Sequence, residues 1–333
     1  ATRAGYQNLT RKLAVAPEED QSLRLTLKPV VGLIKLSVSP DGGELFVDNR
    51  PFGDPNQTLE LTARNHKIKV ELPGYATYKT EVIPQPGFSQ QLNIIMQTEE
   101  AAKVSAIPQR LTTAQGDTIR FILPGALKMG AGRREPGRRS NEVEKEIELT
   151  RAFYLGEREV SNKLFSEFDP GHDSGVLGRA LLSEEDRPVA NISWDQAVRY
   201  CLWLSDKDKL PAAYEQKDGR WILKRPFTTG YRMPTEAEWV WAARYAGGTD
   251  ASRFPWGENM PPIEGSGNFA DESAVNMVPY SIRGYNDNFR GPAPSGTYAA
   301  NELGLYDLAG NVSEWMHDYY GVDLVRQKLT DPV

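Results

Sequence analysis

Residues 301–315 read NELGLYDLAGNVSEW, and they carry neither the 3.6-residue period of an amphipathic helix nor the alternation of a strand. Three oxygen-bearing side chains, Asp307, Asn311 and Glu314, stand in this stretch. It closes a run of about 50 residues after Gly248 in which regular periodicity fails, with further oxygen pairs at Asn268 and Asp271 and at Asp287 and Asn288. So long a loop-rich stretch inside a compact domain needs something other than backbone ladders to hold it. Carboxylate, amide and carbonyl oxygens in short clusters suit a hard cation such as calcium. The same residues are also the usual turn formers, so spacing alone does not decide between the two.

Upstream of that stretch two helices announce themselves through their caps. Ser193-Trp194-Asp195-Gln196 is a capping box, followed by Trp194, Ala197, Val198, Cys201 and Leu202 on one helical face. Cys201 on an apolar stripe reads as a small buried hydrophobe, because burial raises a thiol pKa and neither His nor Lys stands beside it. Thr235-Glu236-Ala237-Glu238 opens the second helix, which carries Trp239, Ala242, Ala243 and Ala246 and is expected to stop at Gly247-Gly248. Glu236 and Glu238 are explained by the cap and the helix dipole without a catalytic role. The basic cluster Arg133, Arg134, Arg138 and Arg139 surrounds Pro136-Gly137 and reads as a solvated loop. Trp203, Trp221, Trp239, Trp241 and Trp315 read as core or groove-wall aromatics.

The N-terminal third has a different character. Residues 5–30, GYQNLTRKLAVAPEEDQSLRLTLKPV, lie without gaps on residues 74–99, GYATYKTEVIPQPGFSQQLNIIMQTE, at an offset of 69. Residues 1–30 therefore read as the tail of one repeat, 31–97 as a complete small β-sandwich copy, and 98–113 as a linker before a second domain at 114–333. Within the copy, Leu33 to Val38 is a strand, 40–43 a turn, Glu44 to Val47 the return strand, and 48–53 a further turn. His66, Ile68, Val70 and Leu72 alternate with Lys67, Lys69 and Glu71, and His66 reads as a strand residue. The fold class expected is α+β.

Composition narrows the function. The 333 residues carry 39 Lys plus Arg against 45 Asp plus Glu, a net charge of −6, so nucleic acid is not the expected partner. One cysteine excludes an intramolecular disulfide and a thiolate cluster, and the three histidines, His66, His172 and His317, match no zinc motif. His317, beside Asp318, has no evident nucleophile or third group to work with. No stretch approaches the ~20 apolar residues of a membrane span.

Two resemblances organise these readings. Residues 37–53, SVSPDGGELFVDNRPFG, and 66–82, HKIKVELPGYATYKTEV, resemble the PEGA family, found mostly on bacterial envelope proteins, although the namesake turn is half kept here. The ordered series FYLGEREVSN, RPVANISWDQAVRYCLWLS, YRMPTEAEWVWAAR, FPWGE, GNFAD and NELGLYDLAGNVSEW resembles the formylglycine-generating enzyme, or sulfatase-modifying factor, family from about residue 114 onward. That resemblance implies an irregular fold related to C-type lectins with two structural calcium sites. In one, Asn268 and Asp287 would bind by side chains, with the carbonyls of Phe269 and Phe289. In the other, Asp307 and Glu314 would do so, with the carbonyls of Gly310 and Val312. Asp307 replaces an amide of the family pattern. The family's copper-binding cysteine pair belongs to a segment beyond the closing residues 323–333, DLVRQKLTDPV, and Cys201 is in the earlier helix. The ergothioneine-forming members' iron-binding histidines come from an N-terminal helical domain, where this chain has PEGA-like repeats.

The expectation is an exported protein of the periplasm or bacterial surface that does no catalysis itself. Its terminal domain would bind a protein, peptide or glycan, and the repeats would act as spacer. The rival expectation is a copper- or iron-dependent oxidase, or a periplasmic tailoring enzyme, whose active-site segment follows Val333; a third is a structural subunit of an envelope complex. Oligomeric state is not legible.

Overall fold

In a computed structural model the described residues are 1–12, 22, 24–248, 251–321 and 328–333. They divide into two compact units, 1–107 and 108–333.

The first unit is a β-sandwich. Strands β1 (Val31–Ser39), β2 (Glu44–Val47), β3 (Arg50–Gly53), β4 (Thr58–Thr62), β5 (His66–Glu71), β6 (Tyr78–Val82) and β7 (Ser89–Ile95) form sheets ordered β4-β1-β7 and β3-β2-β5-β6. β1 alternates strictly, with Ile34, Leu36 and Val38 buried, and meets Leu45, Val47, Ile68 and Val70 of the other sheet in one core. Each such side chain contributes ~1.5–3 kcal/mol on burial. β7 lies parallel to β1, while the other neighbours are antiparallel.

The stretch 48–53 is not one turn, as the sequence had suggested. Asp48 and Asn49 both adopt positive φ, 49° and 66°, so two residues suffice for the hairpin and Arg50–Gly53 becomes strand β3. Pro51 is tolerated there because β3 is an edge strand. His66 is buried, its Nδ1 2.9 Å from Asp48 Oδ2 and its Nε2 2.9 Å from the Thr62 carbonyl, so it ties two turns together.

The 69-residue offset recurs in the backbone. Tyr6 bridges Pro29 as Tyr75 bridges Thr98. The amides of Gln7 and Val30 donate to Lys28 and Gly5, and those of Ala76 and Glu99 donate to Gln97 and Gly74. Gly5 and Gly74 sit at φ 79° and 81°. In the first copy the exit continues directly into β1. In the second Thr98 caps helix α1 (Glu99–Ser105), its side chain accepting from the Ala101 amide.

The second unit begins ahead of the expected boundary at residue 114. Strand β8 (Arg110–Thr112), within the anticipated linker, pairs with β9 (Thr118–Ile122), which pairs with β12 (Phe153–Gly156). β10 (Ala126–Met129) and β11 (Lys145–Glu148) join β17 (Lys328–Thr330) in another sheet. Helix α2 (Asn162–Phe168), hairpin β13–β14 (Val176–Leu177, Ala180–Leu181), helix α3 (Trp194–Lys207), hairpin β15–β16 (Tyr214–Lys217, Arg220–Leu223) and helix α4 (Glu236–Arg244) follow in order. Both capping boxes form in full, Ser193 with Gln196 and Thr235 with Glu238. α4 ends at Arg244, short of Ala246, where the Tyr245 amide closes on Trp241 and Gly248 turns at φ 133°.

Among the described residues between Arg244 and Lys328 the only regular element is a 3-10 turn, Glu272–Ala274. Side chains bonded to backbone replace ladders there. Buried Asp271 accepts from the amides of Ser273 and Asp287, and Asn301 Oδ1 accepts from those of Leu303 and Leu305.

Candidate cation pocket and adjoining apolar cavity

The loop segments converge through backbone contacts. Asn268 pairs with Gly310 in a parallel bridge, and the Asn311 amide donates to the Asn268 carbonyl at 2.8 Å. Gly310 sits at φ 83°, and a Cβ there would collide with the Asn268 carbonyl, so this close crossing requires glycine. A cavity of about 620 Å³ opens at the crossing, lined by Asn268, Phe269, Asp307, Gly310, Val312 and Glu314 among others.

Six of the eight residues expected as calcium ligands thus share one pocket. The other two, Asp287 and Phe289, do not line it. Asp287 accepts from the amides of Phe269 and Phe289 at 2.7 and 2.8 Å, and the Phe289 carbonyl accepts from Ser273 Oγ at 2.6 Å. These oxygens organise the loop, each with one lone pair already engaged.

Asp307 is different. It is 7% exposed; one oxygen accepts from the Gly296 amide, and the other, Oδ1, is enclosed without a partner. Burial lifts its carboxyl above the ordinary range, against the Gly296 bond. Glu314 is exposed as a residue, but the surroundings of its carboxyl are protein; desolvation pushes it up to about 7, opposed by a 2.7 Å bond from Trp239 Nε1. Glu159, from the β12–α2 connection, reaches the same segment. Its oxygens accept from Asn311 Nδ2 at 2.6 Å and the Val312 amide at 3.3 Å, and burial, then Glu314 and Asp307, push it up to about 9.

Asp307 and Glu314 line the pocket as two desolvated carboxyl groups, Asp307 raising Glu314 and one Asp307 oxygen enclosed and unpaired, an arrangement that a cation would satisfy. Among the described residues no three Asp, Glu, His or Cys side chains stand together as a metal cage. A cation here would therefore complete its shell with amide and carbonyl oxygens, which is the habit of calcium and not of zinc or copper. Asp307 and Glu314 bring the carboxylate chemistry that calcium takes, and Gly310 and Val312 line the same pocket.

A second cavity, of about 460 Å³, lies behind the same segment. Its walls are mainly apolar, with Leu155, Val189, Ala197 and Met233, and its polar groups include Arg158 and Arg232. Leu308, Val312, Ser313 and Glu314 line both cavities. β12, an edge strand of its sheet, contributes Leu155 and Gly156.

Cys201 lines this cavity too, and burial pushes its thiol up to about 12, so it is a protonated, weakly nucleophilic group. The His317 ring lies 5.5 Å from that of Tyr214 and 6.3 Å from that of Trp194, and burial lowers its pKa against the pull of Asp318; its Nδ1 is enclosed and unpartnered. Glu159 was present in the quoted motif but carried no assignment. Its partner Asn311 is 152 positions away, which no local pattern signals. Arg232 was likewise unassigned and pairs with Glu238 of the second capping box at 2.5 Å.

A chaperone protein, LppX, of Paenibacillus barcinonensis is 27% identical over 234 residues, 66% of this chain and 78% of its own length. The formylglycine-generating enzyme of Thermomonospora curvata is 33% identical over 146 residues, 44% of this chain and 38% of its own. The inactive C-alpha-formylglycine-generating enzyme 2 of Bos taurus is 29% identical over 43% of this chain and 36% of its own. The chain thus spans little more than a third of those two relatives. The solved Treponema denticola variable protein 1 superposes with a TM-score of 0.53 at 24% identity, covering 67% of this chain and 81% of that one. The PEGA domain model matches residues 31–100. The sulfatase-modifying factor enzyme 1-like domain model matches 104–329, more than half of the chain, which therefore belongs to that family.

Proposed function

We propose that this chain is a non-catalytic binding protein of the bacterial envelope, exported to the periplasm or cell surface. Its second unit takes an extended apolar peptide segment into the 460 Å³ cavity, on a fold of C-type-lectin kind, and its PEGA unit acts as spacer. The observation that carries this reading is the cavity itself: its volume and predominantly apolar walls, with charged side chains of both signs, Asp117, Glu159, Arg158 and Arg232, at its polar positions, suit a recognition site. The edge strand β12 offers a peptide main-chain pairing, with the cavity for alternate side chains. A sugar would call for a more polar lining. The relative named a chaperone points to polypeptide as ligand, and the one named inactive supports a non-catalytic reading.

Calcium belongs to this proposal as a brace. When bound it supplies electrostatic cross-linking of the 307–314 segment to the loop at Asn268. Asp307 and Glu314 would hold it, and Asn268, Phe269, Asp287 and Phe289 shape the neighbouring turn. Among the described residues no helix is long and apolar enough to cross a membrane.

The alternative, a metal-dependent oxidase or periplasmic tailoring enzyme whose active-site segment follows Val333, rests on the family resemblance; Cys201, a protonated thiol in the apolar cavity, lends it no support. A cellulose-bound array of envelope-protein 13-mers, probed with the full chain and with Ala197→Phe, tests the proposal. Preference for apolar, extended peptides, lost in Ala197→Phe, is the expected result. Peptide capture that ignores apolar content, or survives the filled cavity, would remove the cavity from the account.

A further inference from the structure

The two cavities adjoin along one stretch of chain, residues 308–314. Leu308, Val312, Ser313 and Glu314 face both, so any displacement of this wall changes both cavities together. The wall has no ladder of its own: Asp307, Gly310 and Asn311 all turn at positive φ, 55°, 83° and 57°. What fixes it is a set of cross-links. On the cation side Trp239 Nε1 holds Glu314 at 2.7 Å, and Asn268 accepts the Asn311 amide. On the apolar side Glu159 holds Asn311 and Val312, and Trp315 Nε1 donates to the Ile192 carbonyl at 3.0 Å.

Asp307 leaves one link unmade, since its enclosed Oδ1 has no protein partner. A cation shared by Asp307 and Glu314 would join the first and last turns of the wall. The wall would then be held before a ligand arrives, and the ordering would not have to be met from binding energy.

We propose that cation occupancy on one face of the 307–314 wall regulates ligand binding on the other, so that the apolar cavity binds tightly only when the cation pocket is filled. This rests on the reading of the apolar cavity as a recognition site. The coupling is reciprocal by linkage: whatever factor calcium confers on the cavity ligand, the ligand confers on calcium. A factor of about tenfold is typical of such coupling.

The test uses the full chain, calcium chloride, and 1-anilinonaphthalene-8-sulfonate as probe, chosen because its rings suit the apolar walls. Probe affinity is measured by fluorescence with saturating calcium and with chelator, and calcium affinity by calorimetry with and without probe. Both are expected to tighten about tenfold, by the same factor, with the factor lost in Glu314→Gln. Ala197→Phe should abolish probe binding while calcium still raises the melting temperature, which shows that this variant folds.

Calcium that binds and stabilises while leaving probe affinity unchanged overturns the coupling but leaves the cavity reading standing. A probe that fails to bind at either calcium level, or binds Ala197→Phe as well as the parent, overturns the cavity reading and the coupling with it. An absence of calcium binding overturns the coupling alone.

Discussion

Glu159 and Asn311 are joined at 2.6 Å across 152 positions of sequence, and their bond ties the β12–α2 connection to the loop that separates two cavities. Burial, Glu314 and Asp307 push this carboxyl up to about 9, so in the folded chain without a cation it keeps a proton that the unfolded chain releases near pH 4.5. The folded state therefore binds more protons between these values, and stability falls as pH rises from about 4.5 through about 9. The second unit's melting temperature, followed in chelator from pH 5 to 9, should decline. Glu159→Gln should make that decline shallower, since glutamine accepts from Asn311 without titrating, and leave the share that Glu314 and Asp307 contribute with the same sign. A parent profile already flat would show that Glu159 does not hold its proton there.

Gly310 carries the crossing at Asn268. Alanine there meets both an unfavourable φ of 83° and the Asn268 carbonyl, and a cost of ~2 kcal/mol or more is expected. Chemical denaturation of Gly310→Ala should show this loss in the second unit with the first unit's transition unchanged. Stability equal to the parent's would mean that the crossing is looser than described.

Arg232 and Glu238 form a pair in which Glu238 is 8% exposed and also closes the α4 capping box with Thr235. Removing the arginine leaves a buried carboxylate without its partner, and breaking such pairs costs ~3–5 kcal/mol. Arg232→Ala is expected to fall in that range by urea denaturation at pH 7, and to recover much of the loss when Glu238→Gln is added. Two single losses that simply add would contradict the pairing.

His66 pins the Asp48–Asn49 turn to Thr62. Asp48 is held below the usual carboxylate range despite burial, by the Lys67 amide, His66 and Arg64. His66→Leu should destabilise the first unit by ~1 kcal/mol, the net worth of the hydrogen bonds lost, since half-buried Asp48 keeps Arg64 and the Lys67 amide, and the Thr62 carbonyl keeps the Arg64 amide. Thermal unfolding of the PEGA transition at pH 7 checks this, and an unshifted transition would make the contact incidental.

Local signals made much of the fold legible. β1 and β5 announced themselves by alternation, and α3 and α4 by capping boxes whose partners lie three residues apart. The repeat offset was readable because gapless similarity is a local comparison, and the same hydrogen bonds recur at that offset. β3 was hidden because one positive-φ pair, Asp48 and Asn49, shortened a turn. β8 was hidden because its strand character comes from pairing with β9 and not from its own three exposed residues. At the site, Asp307 and Glu314 were named from motif resemblance, whereas Glu159, Arg232 and the second cavity depend on contacts that only the folded chain makes.

The bracing of the 307–314 wall by a cation is tested most directly by calcium titration of the chelator-treated full chain, with heat of binding and the second unit's melting temperature followed together. A binding heat, with a rise of several degrees at a hundredfold excess over Kd, is predicted, since that excess contributes ~2.7 kcal/mol to a unit of this size. Asp307→Ala should lose both. Neither heat nor shift in the parent, after verified removal of metal, would contradict the account.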